Sequence, residues 1–288
     1  MKTILITGIN GYLGSKLAHR YSKEYKIIGL GYSSTNLIRL KEAPIEVYFS
    51  KNGIPDELFA NHTIDIIIHT ATHYGRNKET NGQLTYSNTY LPLLLLEKAV
   101  QNKCSLFINT DTVLDRLTSN YALSKKQFRD WLLFFANLNS IKVINLKVEH
   151  FYGPGTNNFN FITQIVQKML RNEVVIPLTK AEQNRDFLFI DDLLGVYDIM
   201  LKNHPHFKHF EEFDVGTGIN TNLKEILEFI KEKTHSTSVL DYGAIPYRLN
   251  ELMVSKNDVR KLKELGWSQK HKIKDGLIEV IKFEKDNQ

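Results

Sequence analysis

Six short apolar runs cut the first 150 residues into a regular alternation, and that alternation constrains the fold more than any other feature. The runs are TILIT (3–7), KIIGL (26–30), IEVYF (45–49), DIIIHT (65–70), SLFINT (105–110) and KVINLK (142–147). Between them, 12–23, 35–43, 87–101 and 121–138 carry helical spacing. Strands alternating with helices predict a doubly wound, Rossmann-type parallel sheet covered by helices on both faces. After FYGPG (151–155) the alternation fades, and helices near 159–171, 191–202, 222–233 and 256–265 are interleaved with short extended pieces. The expected organisation is an α/β domain over 1–150 and a smaller, mostly helical lobe over 151–288, with 185–220 returning in part to the first domain.

The first strand runs straight into TGINGYLG (7–14), with Gly8, Gly11 and Gly14 at every third position. A chain that turns tightly, comes close to a ligand and then packs helix on strand has no room for a Cβ at those points. The helix that follows aims free N–H groups and a partial positive charge at a diphosphate. Gly8, Asn10, Gly11, Tyr12, Leu13 and Gly14 are thus candidate cofactor-binding residues. A glycine triplet on its own is equally a structural turn, so it needs company.

With 288 residues, 42% hydrophobic and 24% charged, the chain can bury one large core or two unequal ones. No apolar run approaches the roughly 18 to 20 residues that span a bilayer, and the N-terminus lacks a charged leader with a cleavage site. The single cysteine, Cys104, cannot form an internal disulfide. A cytoplasmic protein without a membrane partner is expected. The net charge of +5 is carried by scattered lysines rather than a basic arm or helix, so an anionic small molecule accounts for it and no nucleic-acid partner is expected.

Thr-Gly-x-x-Gly-x-x-Gly resembles the extended short-chain dehydrogenase/reductases, the NAD-dependent epimerase/dehydratase family. The resemblance implies a Tyr-x-x-x-Lys in mid-chain, and YALSK supplies Tyr121 and Lys125. Four residues apart on a helix they share a face, so the ammonium can favour the ionised phenol and hold the cofactor ribose. Thr110, at the end of the fifth strand, stands where the family keeps a hydroxyl for the substrate oxygen, which completes the catalytic set of Thr110, Tyr121 and Lys125. HTAT, with Thr70, Ala71 and Thr72, resembles the segment that lines the cofactor, and Asn88 lies in the family's central helix. HFYGPG (150–155), RDFLFIDDL (185–193), FDVGTG (213–218) and ELGW (264–267) match further motifs in order, so the resemblance covers nearly the whole chain. Within the family, FINTDT, LKVEHFYGPG, QNRDFLFIDDL and YGAIPYRLNELMVSKNDVRKLKELGW resemble the CDP-abequose and CDP-paratose synthase group, reductases of a nucleotide-linked 4-keto-3,6-dideoxyhexose that feed surface polysaccharides such as O-antigen or capsule. Two departures bear on the substrate: the loop from Thr110 to Tyr121 is short, and Lys147 replaces a more common arginine.

Side chains narrow the reaction. A dehydratase of this family needs Thr-Asp-Glu, but Thr110 and Asp111 are followed by Thr112; an epimerase-reductase related to GDP-fucose synthase needs a cysteine after the hydroxyl, and Cys104 precedes it. NADPH-dependent reduction of a sugar ketone needs only Thr110, Tyr121, Lys125 and bound nicotinamide. A 4-epimerase with retained NAD uses the same residues and stays open. A non-catalytic dinucleotide sensor is the remote alternative. After the second strand, GLGYSSTNLIRL offers Ser33, Ser34 and Arg39 but no acid for a ribose 2′-hydroxyl, so NADPH/NADP is expected, with NAD possible; the same serines could simply cap a helix.

The resemblance places Arg185 and Arg248 at the diphosphate of a nucleotide sugar, where guanidinium suits phosphate oxygens, and adds Asp111 and His150 to the substrate side. A structural ion pair is the competing role for each arginine. His73 and Tyr74 follow strand four at its C-terminal end, where doubly wound sheets place ligands, and are expected to touch the sugar or nicotinamide. The substrate is expected in a cleft between the lobes. His204, His206 and His209 lack an accompanying carboxylate or cysteine signature, so no metal is expected. Asp191 and Asp192 suit the start of a helix better than an acid pair. LPLLLLEKAV and WLLFFANL carry more apolar surface than one sheet face covers, which predicts a homodimer seam. Which nucleotide and which sugar are bound is not legible.

Overall fold

TILIT is buried at every residue and forms the strand β1 (Thr3–Thr7) near the middle of a seven-stranded sheet in the computed structural model. The structure describes all residues except 34–36, 42–44, 52, 77, 158, 249 and 288. The chain continues as α1 (Tyr12–Tyr21), β2 (Lys26–Gly31), β3 (Glu46–Phe49), α2 (Asp56–Asn61), β4 (Ile66–His69), α3 (Asn81–Thr85), a π-helical turn (Tyr86–Tyr90), α4 (Leu91–Gln101), β5 (Leu106–Thr112), α5 (Asn120–Asn137) and β6 (Lys142–Val148). Then follow β7 (His150–Tyr152), α6 (Phe161–Leu170), β8 (Val175–Leu178), β9 (Asn184–Phe189), α7 (Ile190–Asn203), β10 (Phe210–Val215), β11 (Asn220–Asn222), α8 (Leu223–Thr234), β12 (Val239–Tyr242), α9 (Arg260–Glu264) and α10 (Ile273–Asp286). Two compact units result, Met1–Lys147 with Met200–Phe213, and Val148–Ile199 with Asp214–Gln288.

In the first unit the strand order is β10-β6-β5-β4-β1-β2-β3. The pairs from β3 to β5 run parallel, and Val143 N–H on β6 donates to the His209 carbonyl beside β10. The reversal of strand order between β1 and β4 is the switch point at which doubly wound sheets bind ligands. Leu5, Ile67, Phe107 and Val143 are buried on one face with Leu95, Leu96, Phe128 and Leu132, and Ile4, Ile6, Ile66, Ile68, Leu106 and Ile108 are buried on the other. Covering both faces is what lets such apolar strands stay parallel.

The helices depart more from expectation than the strands. Of the helix expected over 35–43, the described residues contain only a 3₁₀ turn at Ile38–Leu40. The helix expected from 87 begins at Asn81, because Thr80 and Gln83 form a reciprocal capping box in which Gln83 N–H donates to Thr80 Oγ1 and Thr80 N–H to Gln83 Oε1. Only Arg260–Glu264 of 256–265 is helical, and α2 and α10 were not anticipated.

In the second unit β9 lies between β11, antiparallel to it, and β7, parallel to it, while β8 and β12 form a separate parallel pair. Two buried aspartates of the RDFLFIDDL stretch pin distant loops. Asp186 accepts hydrogen bonds from Thr217 N–H (2.9 Å), Thr217 Oγ1 (2.6 Å), Gly218 N–H (2.7 Å) and Asn257 Nδ2 (3.1 Å). Asp192 does more than stabilise a helix start: its carboxylate accepts from the backbone N–H groups of Lys270 and His271, each at 3.0 Å, and its carbonyl accepts from Trp267 Nε1. The Leu-Gly-Trp stretch thus docks on α7 through Asp192. Asp192→Ala strands two backbone donors and should lower unfolding stability by about 2–4 kcal/mol, measured by urea denaturation; a loss within error contradicts this anchoring role.

Candidate active site

Gly8 leaves β1 with φ +64°, a left-handed conformation, and an added Cβ would sit 2.8 Å from Ala71 N and 3.0 Å from Thr70 Oγ1. A Cβ on Gly14 would run into the Gly8 carbonyl oxygen, so α1 can pack against the turn only as glycine. Thr7 joins this turn to the end of β4. Its Oγ1 accepts from the N–H groups of Thr70 and Ala71, both at 3.2 Å, while Thr70 Oγ1 donates to the Thr7 carbonyl at 2.7 Å. With two donors already on Thr7 Oγ1, its own proton is directed to His69 Nδ1 at 2.8 Å, which assigns the remaining ring proton to Nε2. Burial, with the nearby charge of Lys125, holds the His69 pKa well below the usual histidine value, so the ring stays neutral. The glycines and the N-terminus of α1 form a cradle that a dinucleotide diphosphate fits and a side chain would fill.

The loop after β4 is tied down by Asn88, fully buried in the π-helical turn. Its Oδ1 accepts from His73 N–H (2.8 Å) and Thr72 Oγ1 (3.3 Å), and its Nδ2 donates to the His73 carbonyl (2.8 Å) and to Ser124 Oγ (3.0 Å). Ser124 Oγ in turn donates to the Tyr121 carbonyl. One amide therefore fixes the His73 backbone against the first turn of α5, which Ser119 caps. The result is a stack: the Tyr74 and Tyr121 rings lie 5.1 Å apart, and the Arg76 guanidinium sits 4.8 Å over Tyr74. His73 packs edge-on against Tyr32 at 6.0 Å. The sequence names Tyr121, Thr72, His73 and Tyr74; the roles of Arg76, and of Asn88 as their clamp, emerge only from the folded contacts.

Burial, with Tyr74 and Asp111 nearby, raises the Tyr121 phenol well above the usual tyrosine range, against smaller opposing effects of Thr72 and Arg76. Lys125, one turn further along α5, is buried, and its pKa is pushed down to about 8, mainly by burial. Thr110 is partly exposed near the end of β5. The Asp111 carboxylate turns inward, accepting from Thr112 N–H (2.7 Å), Lys126 Nζ (2.9 Å) and Asn145 Nδ2 (3.0 Å). Asn145 also donates to Glu212, which pairs with Arg129 at 2.7 Å and Lys147 at 3.7 Å. This network borders a pocket of about 280 Å³ lined by Arg116, Lys126, Arg129 and Lys147 among others.

On the cofactor side, Leu13 is buried, and the Asn10 amide oxygen lies 3.5 Å from the point where a Gly31 side chain would begin, beside the end of β2. Arg39 and Lys16 each lie 5.8 Å from the Tyr12 ring centre. Ser33 is half-buried, and Ser34 lies outside the described residues.

The second unit carries the remaining expected residues. His150 is exposed and pairs with Glu149 at 3.0 Å. Arg185 is buried and held by Glu251 at 2.6 Å, and Arg248 is exposed. In the first unit, His204 Nδ1 is bonded to the Leu201 carbonyl. Among the described residues no group of three or more His, Cys, Asp or Glu is placed to hold a metal ion, and no helix is long and apolar enough to cross a membrane.

Comparison with known proteins gives a consistent picture. Residues 4–216 match the model of the NAD-dependent epimerase/dehydratase family. The chain is 32% identical to a CDP-abequose synthase of Salmonella typhimurium over 97% of both chains, and 33% identical to that of Salmonella muenchen, again over 97% of both. Among solved structures it resembles the UDP-glucose 4-epimerase of Thermotoga maritima with UDP-glucose, at a TM-score of 0.85, 23% identity and 99% coverage of both chains.

The depressed Lys125 pKa has a thermodynamic consequence. The unfolded chain holds the Lys125 proton more tightly than the native one, so native stability rises with pH between about 8 and the ordinary lysine value of 10.5. Lys125→Met should be more stable than the wild type at pH 7, and its advantage should shrink between pH 8 and 10.5 in urea titrations. A pH-independent difference contradicts the buried charge.

Proposed function

The chain belongs to the NAD-dependent epimerase/dehydratase family, and from that premise we propose that it is an NADPH-dependent reductase of a nucleotide-linked 4-keto-deoxyhexose, supplying a deoxy sugar for a surface polysaccharide. The observation that carries this reading is Tyr121, stacked beneath Tyr74 and followed one turn later by the buried Lys125. Reduction of a ketone needs a proton donor beside the new alkoxide, and the Tyr121 phenol can supply it. A nicotinamide held over the glycine cradle would supply the hydride. Thr110 hydrogen-bonds the ketone oxygen, Tyr121 gives its proton to the alkoxide formed at C4, and the Lys125 ammonium steadies the phenolate until it is reprotonated from water. His73 and Tyr74 meet the sugar. Arg185 and Arg248 of the second unit bind the diphosphate, which competes with Glu251 for the Arg185 guanidinium.

The similarity to CDP-abequose synthases favours a CDP-linked sugar. Purified protein should oxidise NADPH on addition of a CDP-linked 4-keto-3,6-dideoxyhexose, and Tyr121→Phe should reduce the rate by about 10²-fold or more. No oxidation with CDP-, dTDP-, GDP- or UDP-linked ketosugars would overturn the reductase reading. Dinucleotide that copurifies with the protein, with interconversion of fully reduced sugars, would favour the epimerase instead.

The reading includes a homodimer. Tyr86 and Tyr90 on the π-helical turn, and Trp131, Phe134 and Leu138 on and just after α5, expose 39–59% of their surfaces, and the two elements pack together. Sedimentation should give a dimer, and Trp131→Glu with Phe134→Glu a folded monomer; a monomeric wild type removes this part of the proposal.

A further inference from the structure

We propose that Asp111 and Lys126 form a positioning pair for the proton transfer: they lock the strand bearing Thr110 to the helix bearing Tyr121 and Lys125, and they set the field at the Lys125 ammonium. This rests on the reductase reading above, in which Lys125 works as a cation. Lys125 and Lys126 are neighbours on α5, and both are withdrawn from solvent, Lys125 as a buried residue and Lys126 with a side chain 12% exposed. Lys126 turns to the end of β5, where its Nζ donates to the Asp111 carboxylate at 2.9 Å and to the Thr112 carbonyl. Thr110 stands between two anchored side chains. Asp111 Oδ2 also accepts from Asn145 Nδ2 at 3.0 Å, and Asn109 Nδ2 donates to Asn145 Oδ1 at 2.7 Å. One ammonium thus crosses from the helix of Tyr121 to the strand of Thr110, while Asn145 holds that strand to β6. The crossing fixes the offset between the two halves of the catalytic set.

Two ammonium groups side by side and away from water repel, and the Asp111 carboxylate, whose side chain is fully buried, compensates both. Among the described residues, the charged and titratable groups that bear on Lys125 are Asp111 of β5, the neutral His69 of β4, and Lys126 and Tyr121 of its own helix. Their signs differ. Asp111 favours the charged form of Lys125, whereas Lys126 opposes it. Removing the charge of Lys126 therefore lets Lys125 hold its proton to higher pH, and removing that of Asp111 makes it lose the proton at lower pH. Opposite shifts from two partners of one ion pair are a signature that a packing role does not produce. Asp111 reads in the sequence as a substrate contact, and Lys126 belongs to no motif; their joint role follows from the contacts alone.

The test follows kcat/KM for NADPH oxidation with a CDP-linked 4-keto-deoxyhexose across the pH range in wild type, Lys126→Met, Lys126→Arg and Asp111→Asn, each checked for native melting. In parallel, NMR of protein labelled with ¹³C-lysine follows the Lys125 titration, assigned with Lys125→Met. Wild-type activity should fall above about pH 8 as Lys125 loses its proton. Lys126→Met should move that fall up by about half a pH unit or more and lower kcat by about tenfold with NADPH affinity unchanged. Asp111→Asn should move the fall down, and Lys126→Arg, which keeps the charge, should return the wild-type profile. If Asp111→Asn does not fold, the two Lys126 variants decide alone. An equal loss at every pH in Lys126→Met, or a Lys125 titration that stays where it is in the charge-removing variants, overturns the pair. If no ketosugar draws on NADPH in the wild type, the reductase reading falls, and the NMR titration still decides whether Asp111 and Lys126 set the charge of Lys125.

Discussion

The Thr7 hydroxyl is the interaction on which the first unit's site depends. It accepts two backbone N–H groups from Thr70 and Ala71 and gives its proton to His69, so the C-terminal ends of β1 and β4 are joined at the switch point of the sheet. Every other arrangement there is built outward from that junction. Gly8 can turn because Ala71 and Thr70 stand against it, and Gly14 allows α1 to close on the turn. The neutral His69 follows from the same geometry, because a second buried cation beside Lys125 would cost more than the fold could offset.

From that junction, order passes along the chain through hydrogen bonds of Asn88. Both backbone groups of His73 and the hydroxyl of Ser124 meet one amide, so the loop after β4 and the helix carrying Tyr121 move as one piece. The Tyr74–Tyr121 stack then has a fixed spacing, and the Thr72 hydroxyl is held by the same Asn88 amide. Positioning of this kind matters for proton transfer, where donor and acceptor must be within hydrogen-bond reach. The inward-turned Asp111 has a related effect: with Lys126 and Asn145 it forms a closed polar network behind the strand that bears Thr110.

The first six strands were legible because each is a short apolar run ended by a polar or glycine residue, a signal that does not depend on distant partners; beyond residue 150 only short extended pieces were expected, and β11, Asn-Thr-Asn, has no apolar residue to read. Helix limits were less so. The start of α3 is set by a capping box at Thr80, and the 35–43 periodicity yields only the turn at Ile38–Leu40 in the described residues, since local spacing says nothing of what will cover the face it creates. In the candidate site the glycine turn and the Tyr121–Lys125 spacing could be read directly, as both are local. The partners could not. Asp192 meets residues nearly 80 positions away, Thr7 meets His69 across 62, and Arg76 reaches Tyr74 by stacking, which leaves no spacing rule. Asp111 reads as a substrate residue by position, yet its carboxylate is occupied by Thr112, Lys126 and Asn145.

The account turns on the claim that Tyr121 donates its proton at a carbon that has just received hydride. Turnover with NADPH deuterated at the transferable position of the nicotinamide reads that carbon directly, by mass spectrometry and NMR of the sugar product. The account predicts one deuterium fixed at C4 of the sugar for each NADPH consumed, and its loss in Tyr121→Phe along with turnover. Product formed with no deuterium at C4, or consumption of NADPH without label in the sugar, would contradict it.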